Sequence, residues 1–285
     1  MKKRLGDLFT PLSFRDFRLL WWAQVFSELG DWASRLALAL LVAEQTHSAL
    51  LTALVTTVSV LPWVGVGQVA ATYANRFSRR RVIIVTDIGR AVLFSALAIH
   101  MPVWLRLALA FAAGCLTPPF EGARGSLTVL TVPEARYGDA VALASITFDM
   151  SVLFGYAVGG GLLTVVGARP ALLLNACSFL ISAALLSRIP AARTPVEGPP
   201  VKVRDGWHAL VDDPLIRRFF VGYMYVGACA VVAESLVVLY ALQVLHNEAG
   251  TSGLLAAAIP AGAIIATVFA RGHGNDISKL RRASA

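Results

Sequence analysis

Charged residues are scarce in this chain of 285 residues. They make up 15% of it, whereas 57% of the residues are hydrophobic and the mean hydropathy is +0.68. A soluble domain of this length needs far more polar surface than this composition provides. Acidic residues are the scarcer charged class, so the net charge is +8. The basic residues fall in small groups between apolar runs, which argues against nucleic-acid binding and favours a membrane protein.

Cysteine is also rare, and the catalytic motifs of common enzyme classes are missing. The three cysteines lie inside apolar runs without metal-ligand or disulfide spacing, so they are interpreted as small buried hydrophobes. The five histidines are dispersed in loops and the tail, and there is no HExxH motif, serine elbow or phosphate loop. We therefore expect no enzyme activity, no metal site and no cofactor. The chain also lacks an obvious filter repeat, which argues against a channel.

Eight apolar runs approach the roughly 20 residues that a helix needs to cross a bilayer. The predicted spans are residues 17–43, 50–73, 82–99, 103–119, 139–166, 171–187, 219–245 and 250–270. Most connections are short, as expected for antiparallel neighbouring helices. The exception is 188–218, a Pro/Gly-rich linker followed by a short amphipathic stretch that contains Trp207, Leu210 and Val211. The sequence thus predicts an all-α, polytopic membrane helix bundle of about eight transmembrane helices.

The distribution of basic residues predicts the orientation of the bundle. The N-terminus, the second-to-third and fourth-to-fifth connections, the linker and the tail together hold 21 of the 25 lysines and arginines. All of these segments fall on one side of the predicted topology. By the positive-inside rule, we expect a multi-pass protein of the cell membrane with its N-terminus in the cytoplasm.

Ionisable residues inside predicted spans are the candidate functional residues, because a charge at membrane depth costs several kcal/mol unless it is paired. Glu28, Asp31 and Arg35 lie on one face of the first span, and the i, i+4 spacing predicts a direct Asp31–Arg35 pair. This group is either an internal ion pair that fixes the helix or a site for substrate or protons. Asp149 and Glu234 have no basic residue one turn away, and burial favours their protonated form. They are either hydrogen-bonded structural acids or proton carriers.

Asp87 and Arg90 begin the third predicted span. Their position near the predicted cytoplasmic face suggests that they orient the preceding arginine-rich loop and do not touch substrate.

That loop reads ATYANRFSRRR at residues 71–81 and resembles the second-to-third-helix signature of the major facilitator superfamily, roughly G-x-L-A-D-R-x-G-R-R-x-R. The matching or nearly matching positions are Ala74, Arg76, Arg79, Arg80 and Arg81. Asn75 stands where the family has an aspartate, and the resemblance implies a weaker cytoplasmic latch because an amide carries no charge. A cluster that only sets topology is the alternative.

A second resemblance lies in the fifth span. Gly155, Gly159 and Gly160 match the G-P-x-x-G-G signature of the superfamily's antiporters, with Tyr156 where proline is usual. Close helix packing explains small residues equally well. The stretches SELGDW at 27–32, TDIGRA at 86–91 and LLLNACSFLISAALL at 172–186 look like the efflux branch that includes siderophore and macrolide exporters.

The resemblance implies two six-helix halves and proton-coupled efflux of a drug-like or siderophore-like small molecule. Residues 1–187 would form a complete first half, 188–218 a cytoplasmic linker, 219–270 the first two helices of a second half, and 271–285 a basic cytoplasmic tail. We therefore expect a C-terminally truncated member whose partners are the lipid bilayer, a small-molecule substrate and protons. A transport-inactive fragment or membrane-embedded interaction partner is the alternative.

Overall fold

Six long helices make up most of the computed structural model, which describes residues 8–64, 77–190 and 211–218 and isolated positions from 220 to 262. The helices are α1 (Arg15–Thr46), α2 (Ala49–Val60), α3 (Arg79–Leu97), α4 (Val103–Thr131), α5 (Tyr137–Val166) and α6 (Ala168–Leu186). Short 3₁₀ turns occupy Thr10–Ser13, Leu61–Val64 and Glu134–Arg136. No strand occurs in the described ranges, and the prediction of an all-α membrane bundle is confirmed.

The first six predicted spans each correspond to one of these helices, but the predicted end of the fourth span is wrong. Helix α4 passes through Pro118 and Pro119 and continues to Thr131. Prolines are tolerated inside membrane helices because neighbouring helices and side chains compensate for the missing backbone N–H groups. Residues 65–73 of the second span, most of the seventh span and nearly all of the eighth span lie outside the described residues.

The helix ends follow from local chemistry. The Ser48 side chain accepts a hydrogen bond from the backbone N–H of Leu51 at the start of α2. Gly167, at φ +80°, ends α5 and allows the immediate turn into α6, a conformation that other residues rarely adopt. In the linker, the Asp213 carboxylate accepts hydrogen bonds from the N–H groups of Leu215 and Ile216 and so caps the helical residues that follow.

By length and apolar composition, three helical stretches of the described residues are able to cross a membrane. They are Val103–Thr131, Glu134–Val166 and Ala168–Leu186. Helices α1 and α3 hold more charged residues, and those charges form the networks described below.

Helix α1 lies at the centre of the bundle and contacts α2, α4, α5 and α6, while α3 packs between α4 and α6. One apolar cluster fills the end near the α1 N-terminus, with Leu20, Ile83 and Leu186 at its centre. A second cluster, around Val42 and Leu172, fills the opposite end. The residues of α1, α3 and α6 that lie between these clusters along the chain carry buried polar groups, so the bundle has a polar middle layer.

The positions of the helix ends make the topology testable. His47 follows α1 at one end of the bundle, and Ser78 precedes α3 at the opposite end. In a chain freed of its own cysteines, cysteines placed at these two positions should react with a membrane-impermeant maleimide from opposite sides of the membrane. We expect the His47 position to react on intact cells and the Ser78 position only after permeabilisation. Labelling of both from one side would contradict the topology.

Candidate functional site

A buried ion-pair network joins α1, α3 and α6 in the polar middle layer. Arg90 Nη1 lies 3.5 Å from Asp31 Oδ2, and Arg90 Nη2 donates to Asp87 Oδ1 on the same helix. Ser182 of α6 donates to Asp87 Oδ2 at 2.6 Å. The exposed fractions of Asp87 and Arg90 are 0% and 2%. Charges buried this deeply are tolerated only when they are paired, so these contacts connect the three helices electrostatically.

Further contacts fix the orientation of the Asp31 carboxylate and the Arg90 guanidinium. Asn175 Nδ2 lies 3.3 Å from Asp31 Oδ1 and donates to Ser34 Oγ at 2.8 Å. The Arg90 Cζ atom lies 4.2 Å from the centre of the Phe120 ring and 4.4 Å from that of Phe179. Both distances are within the range of cation–π attraction. The guanidinium is therefore held between two carboxylates and two aromatic rings.

A second network, centred on Glu28, joins α1, α4 and α5. Glu28 Oε1 accepts a hydrogen bond from Gln24 Nε2 at 2.9 Å and lies 3.7 Å from Arg124 Nη2. The same arginine donates to Glu121 on α4, and Gln24 also donates to the Ala144 carbonyl of α5 at 3.0 Å. The second carboxyl oxygen of Glu28 is buried and has no hydrogen-bond partner among the described residues. Two acids thus share one arginine in this network.

A cavity of about 70 Å³ opens among α1, α2, α3 and α4. Its charged lining consists of Asp31, Arg35 and Arg90, and its polar lining includes serine and threonine side chains. The Arg35 Cζ atom lies 4.1 Å from the centre of the Trp32 ring, and its guanidinium makes no ion pair within the described part of the chain. The cavity can therefore receive a polar or charged group of a small molecule.

The structure corrects two predictions about these charges. The predicted Asp31–Arg35 pair is wrong, because Asp31 pairs with Arg90 and Arg35 stacks on Trp32 instead. The predicted position of Asp87 and Arg90 at the start of the third helix is also wrong, because α3 begins at Arg79, whereas their role in orienting the arginine-rich loop stays a prediction. Both residues lie in the buried middle layer, and Arg90 lines the cavity. Spacing along one helix could not show that the Arg90 side chain of α3 reaches Asp31 of α1.

Sequence reasoning also missed several members of the two networks. Arg124 falls in the predicted fourth-to-fifth connection, but it lies inside α4 and pairs with Glu28. Its i, i+3 spacing from Glu121 is a signal that could have indicated a helical ion pair. The roles of Gln24 and Asn175 depend on contacts between helices, and no local pattern in the sequence indicated them.

The comparison with known proteins agrees with this architecture, since residues 7–281 match the family described as transmembrane secretion effector. The chain belongs to this family of the major facilitator superfamily. It is similar to two uncharacterized MFS-type transporters of Bacillus subtilis strain 168, YfiS (30% identity over 203 residues, 68% of this chain and 49% of YfiS) and YkuC (26% over 218 residues, 74% and 50%). The chain therefore spans about half the length of the curated relatives it matches.

In this member of the secretion-effector family, the glycines of α5 allow α5 to pack closely against α1. A Cβ atom on Gly155 would lie 2.4 Å from the Cβ atom of Trp32, and one on Gly159 would lie 3.1 Å from the Ala33 Cα atom. Gly160 is buried as well. These distances support the interpretation that the glycines of this motif serve close helix packing. The interpretation of the motif as an antiporter signature remains a prediction.

The arginine-rich loop of this family member is only partly described. Arg79, Arg80 and Arg81 form the first turn of α3, and Arg80 donates a hydrogen bond to the Ser187 carbonyl just after α6. This contact links the start of α3 to the end of α6. The other motif positions, Ala74, Asn75 and Arg76, lie outside the described residues.

The two remaining candidate acids do not join either network. Asp149 is half-buried on α5 and has no hydrogen-bond or ion-pair partner among the described residues. Glu234 lies outside the part of the chain that the structure describes. Their roles as proton carriers stay predictions.

Proposed function

We propose that this member of the secretion-effector family takes part in proton-coupled efflux of a small molecule, with Glu28 as the group that binds the proton. The transporter family implies a lipid bilayer as surroundings and a small molecule as substrate. The observation that supports Glu28 is its buried carboxyl oxygen, which has no hydrogen-bond partner among the described residues, beside an Arg124 that faces two carboxylates.

The Glu28 network reaches charge balance when it holds one proton. With Glu28 and Glu121 both ionised, the group with Arg124 carries a net charge of −1, at a place where Glu28 is buried and Glu121 is partly exposed. An uncompensated charge in such surroundings costs several kcal/mol, and binding of a proton removes it. The Glu28 oxygen that has no partner among the described residues is available to carry that proton.

Asp31 has a different role in this proposal. Its carboxylate is held by Arg90 and Asn175 and lines the cavity, so it belongs to the substrate side of the mechanism. Because Glu28 and Asp31 are three residues apart on α1, a proton at Glu28 acts on the cavity through a shift of this helix. The coupling does not require proton and substrate to compete for one carboxylate.

The chain spans about half the length of its relatives. That this chain transports a substrate by itself is therefore also proposed. The alternative is a membrane-embedded interaction partner without transport of its own. Alternating access requires two bundles that move around a central site, and in this proposal the described helices are one of them.

Expression of the chain in cells that lack their own efflux pumps tests the proposal. We expect lower accumulation of at least one of a macrolide, a siderophore and a cationic dye, and this difference should vanish when the proton gradient is dissipated. Glu28→Gln should reduce gradient-dependent export at least about tenfold, since it removes the proposed proton-binding group.

Glu44→Gln is the matched control, because Glu44 is an exposed acid on the same helix. It should leave export unchanged. Correct membrane insertion without export of any of the three compounds would favour the interaction-partner alternative. Export that survives Glu28→Gln would exclude Glu28 as the proton site.

A further inference from the structure

Arg35 presents unused hydrogen-bond donors to the cavity. Its guanidinium lies over the Trp32 ring and interacts electrostatically with Asp31, but within the described residues it makes no ion pair at contact distance and no hydrogen bond. An arginine has five N–H donors in a planar fork that matches the two oxygens of a carboxylate. At this depth in the bundle, an arginine without a partner is a candidate ligand-binding group.

The acidic oxygens near Arg35 are already satisfied. Asp31 Oδ1 and Oδ2 face Asn175 Nδ2 and Arg90 Nη1, and the two oxygens of Asp87 face Arg90 and Ser182. The described lining therefore has more free donors than free carboxylate acceptors. An incoming oxyanion would meet donors at Arg35 without displacing an existing pair.

Two hydroxyl groups extend this set of donors. Thr56 of α2 and Thr117 of α4 line the same cavity and make no hydrogen bond with their side chains among the described residues. Leu38, Val55 and Phe94 supply apolar surface beside them. A few fixed polar groups within an apolar lining are typical of small-molecule sites.

We propose that this cavity binds the carboxylate end of an organic anion, with the carboxylate on Arg35 and the threonine hydroxyls and the adjoining carbons against Phe94, Leu38 and Val55. The volume of about 70 Å³ holds this end, and the rest of the anion extends out of the open side of the cavity. This assignment rests on the proposed efflux function in taking the cavity as the substrate site, and it names the class of substrate. Arg35 is the residue that selects for negative charge, and Trp32 positions its guanidinium.

Equilibrium dialysis of the full chain in phosphatidylcholine nanodiscs tests whether the cavity prefers an anion, with empty nanodiscs as the blank. The probes are 1-naphthoate and 1-naphthylmethylammonium, which share a ring system and differ in charge. We expect the naphthoate Kd to be at least about tenfold lower than that of the ammonium, as a charge-assisted pair predicts. Arg35→Gln should abolish this preference, and Arg35→Lys should retain part of it.

Arg169→Gln is the matched control, because Arg169 contacts His100 and does not line the cavity. It should leave both Kd values unchanged. If Arg35→Gln fails to fold, Thr117→Val serves instead and should weaken naphthoate binding several-fold. Equal affinity for both probes, a preference for the ammonium, or naphthoate binding that survives loss of Arg35 would overturn the proposal. No proton gradient is present, so this result is independent of the export experiment.

Discussion

Arg90→Met is expected to destabilise the protein by about 3–5 kcal/mol, the usual consequence of removing one partner from a buried ion pair. The substitution preserves the apolar length of the side chain but leaves Asp31 and Asp87 without their shared cation. It also removes the contacts with Phe120 and Phe179. Thermal unfolding of the purified chain in detergent should show a midpoint lower by many degrees.

Arg188→Met is the control for this prediction, because Arg188 is an exposed arginine just beyond α6. Its effect should be within about 0.5 kcal/mol, as for most surface substitutions. Adding Asp87→Asn to Arg90→Met should recover part of the lost stability, since it removes one of the two uncompensated carboxylates. A melting curve of Arg90→Met that matches the wild type would show that the network does not hold the helices together.

Gly155→Ala is expected to have the second-largest effect, although it adds a single methyl group. The added Cβ atom would lie 2.4 Å from the Trp32 Cβ atom, so α1 and α5 must move apart. Overpacking of this kind costs about 1–3 kcal/mol, which exceeds the gain of about 1 kcal/mol that alanine brings to a helix over glycine. Because Trp32 carries the Arg35 guanidinium, naphthoate binding should weaken as well.

Gly161→Ala on the same helix is the matched control, because a Cβ atom there would meet no atom within 4 Å. It should be neutral or slightly stabilising in the same melting experiment. If the two substitutions had equal effects, helix propensity and not the close approach of α1 and α5 would explain the role of the glycines.

The sequence predicted the number and order of the first six helices because each is an apolar run bounded by polar residues. The predicted end of the fourth helix at Pro119 is wrong, because the general rule that proline ends a helix does not hold inside a packed membrane bundle. Glu28, Asp31 and Arg35 were identified as candidates because charges stand out in an apolar helix.

The partners of these charges could not be predicted from one sequence. Arg90 reaches Asp31, and Arg124 reaches Glu28, only after three helices have packed with particular rotations. Local spacing therefore favoured Arg35 as the partner of Asp31, since i, i+4 is the only pairing that a single helix reveals. The cavity could not be predicted from the sequence either, because its lining residues come from four helices.

Helix α1 carries both Glu28 and Asp31, and this shared support has a thermodynamic consequence. If a displacement of α1 changes the contact of Asp31 with Arg90, it changes the contact of Glu28 with Arg124 in the same movement. Linkage then requires reciprocity: a ligand in the cavity alters the proton affinity of Glu28 by the same factor by which the proton alters ligand affinity. Proton uptake measured with and without naphthoate would give that factor, and the coupling free energy between the two networks follows from it directly.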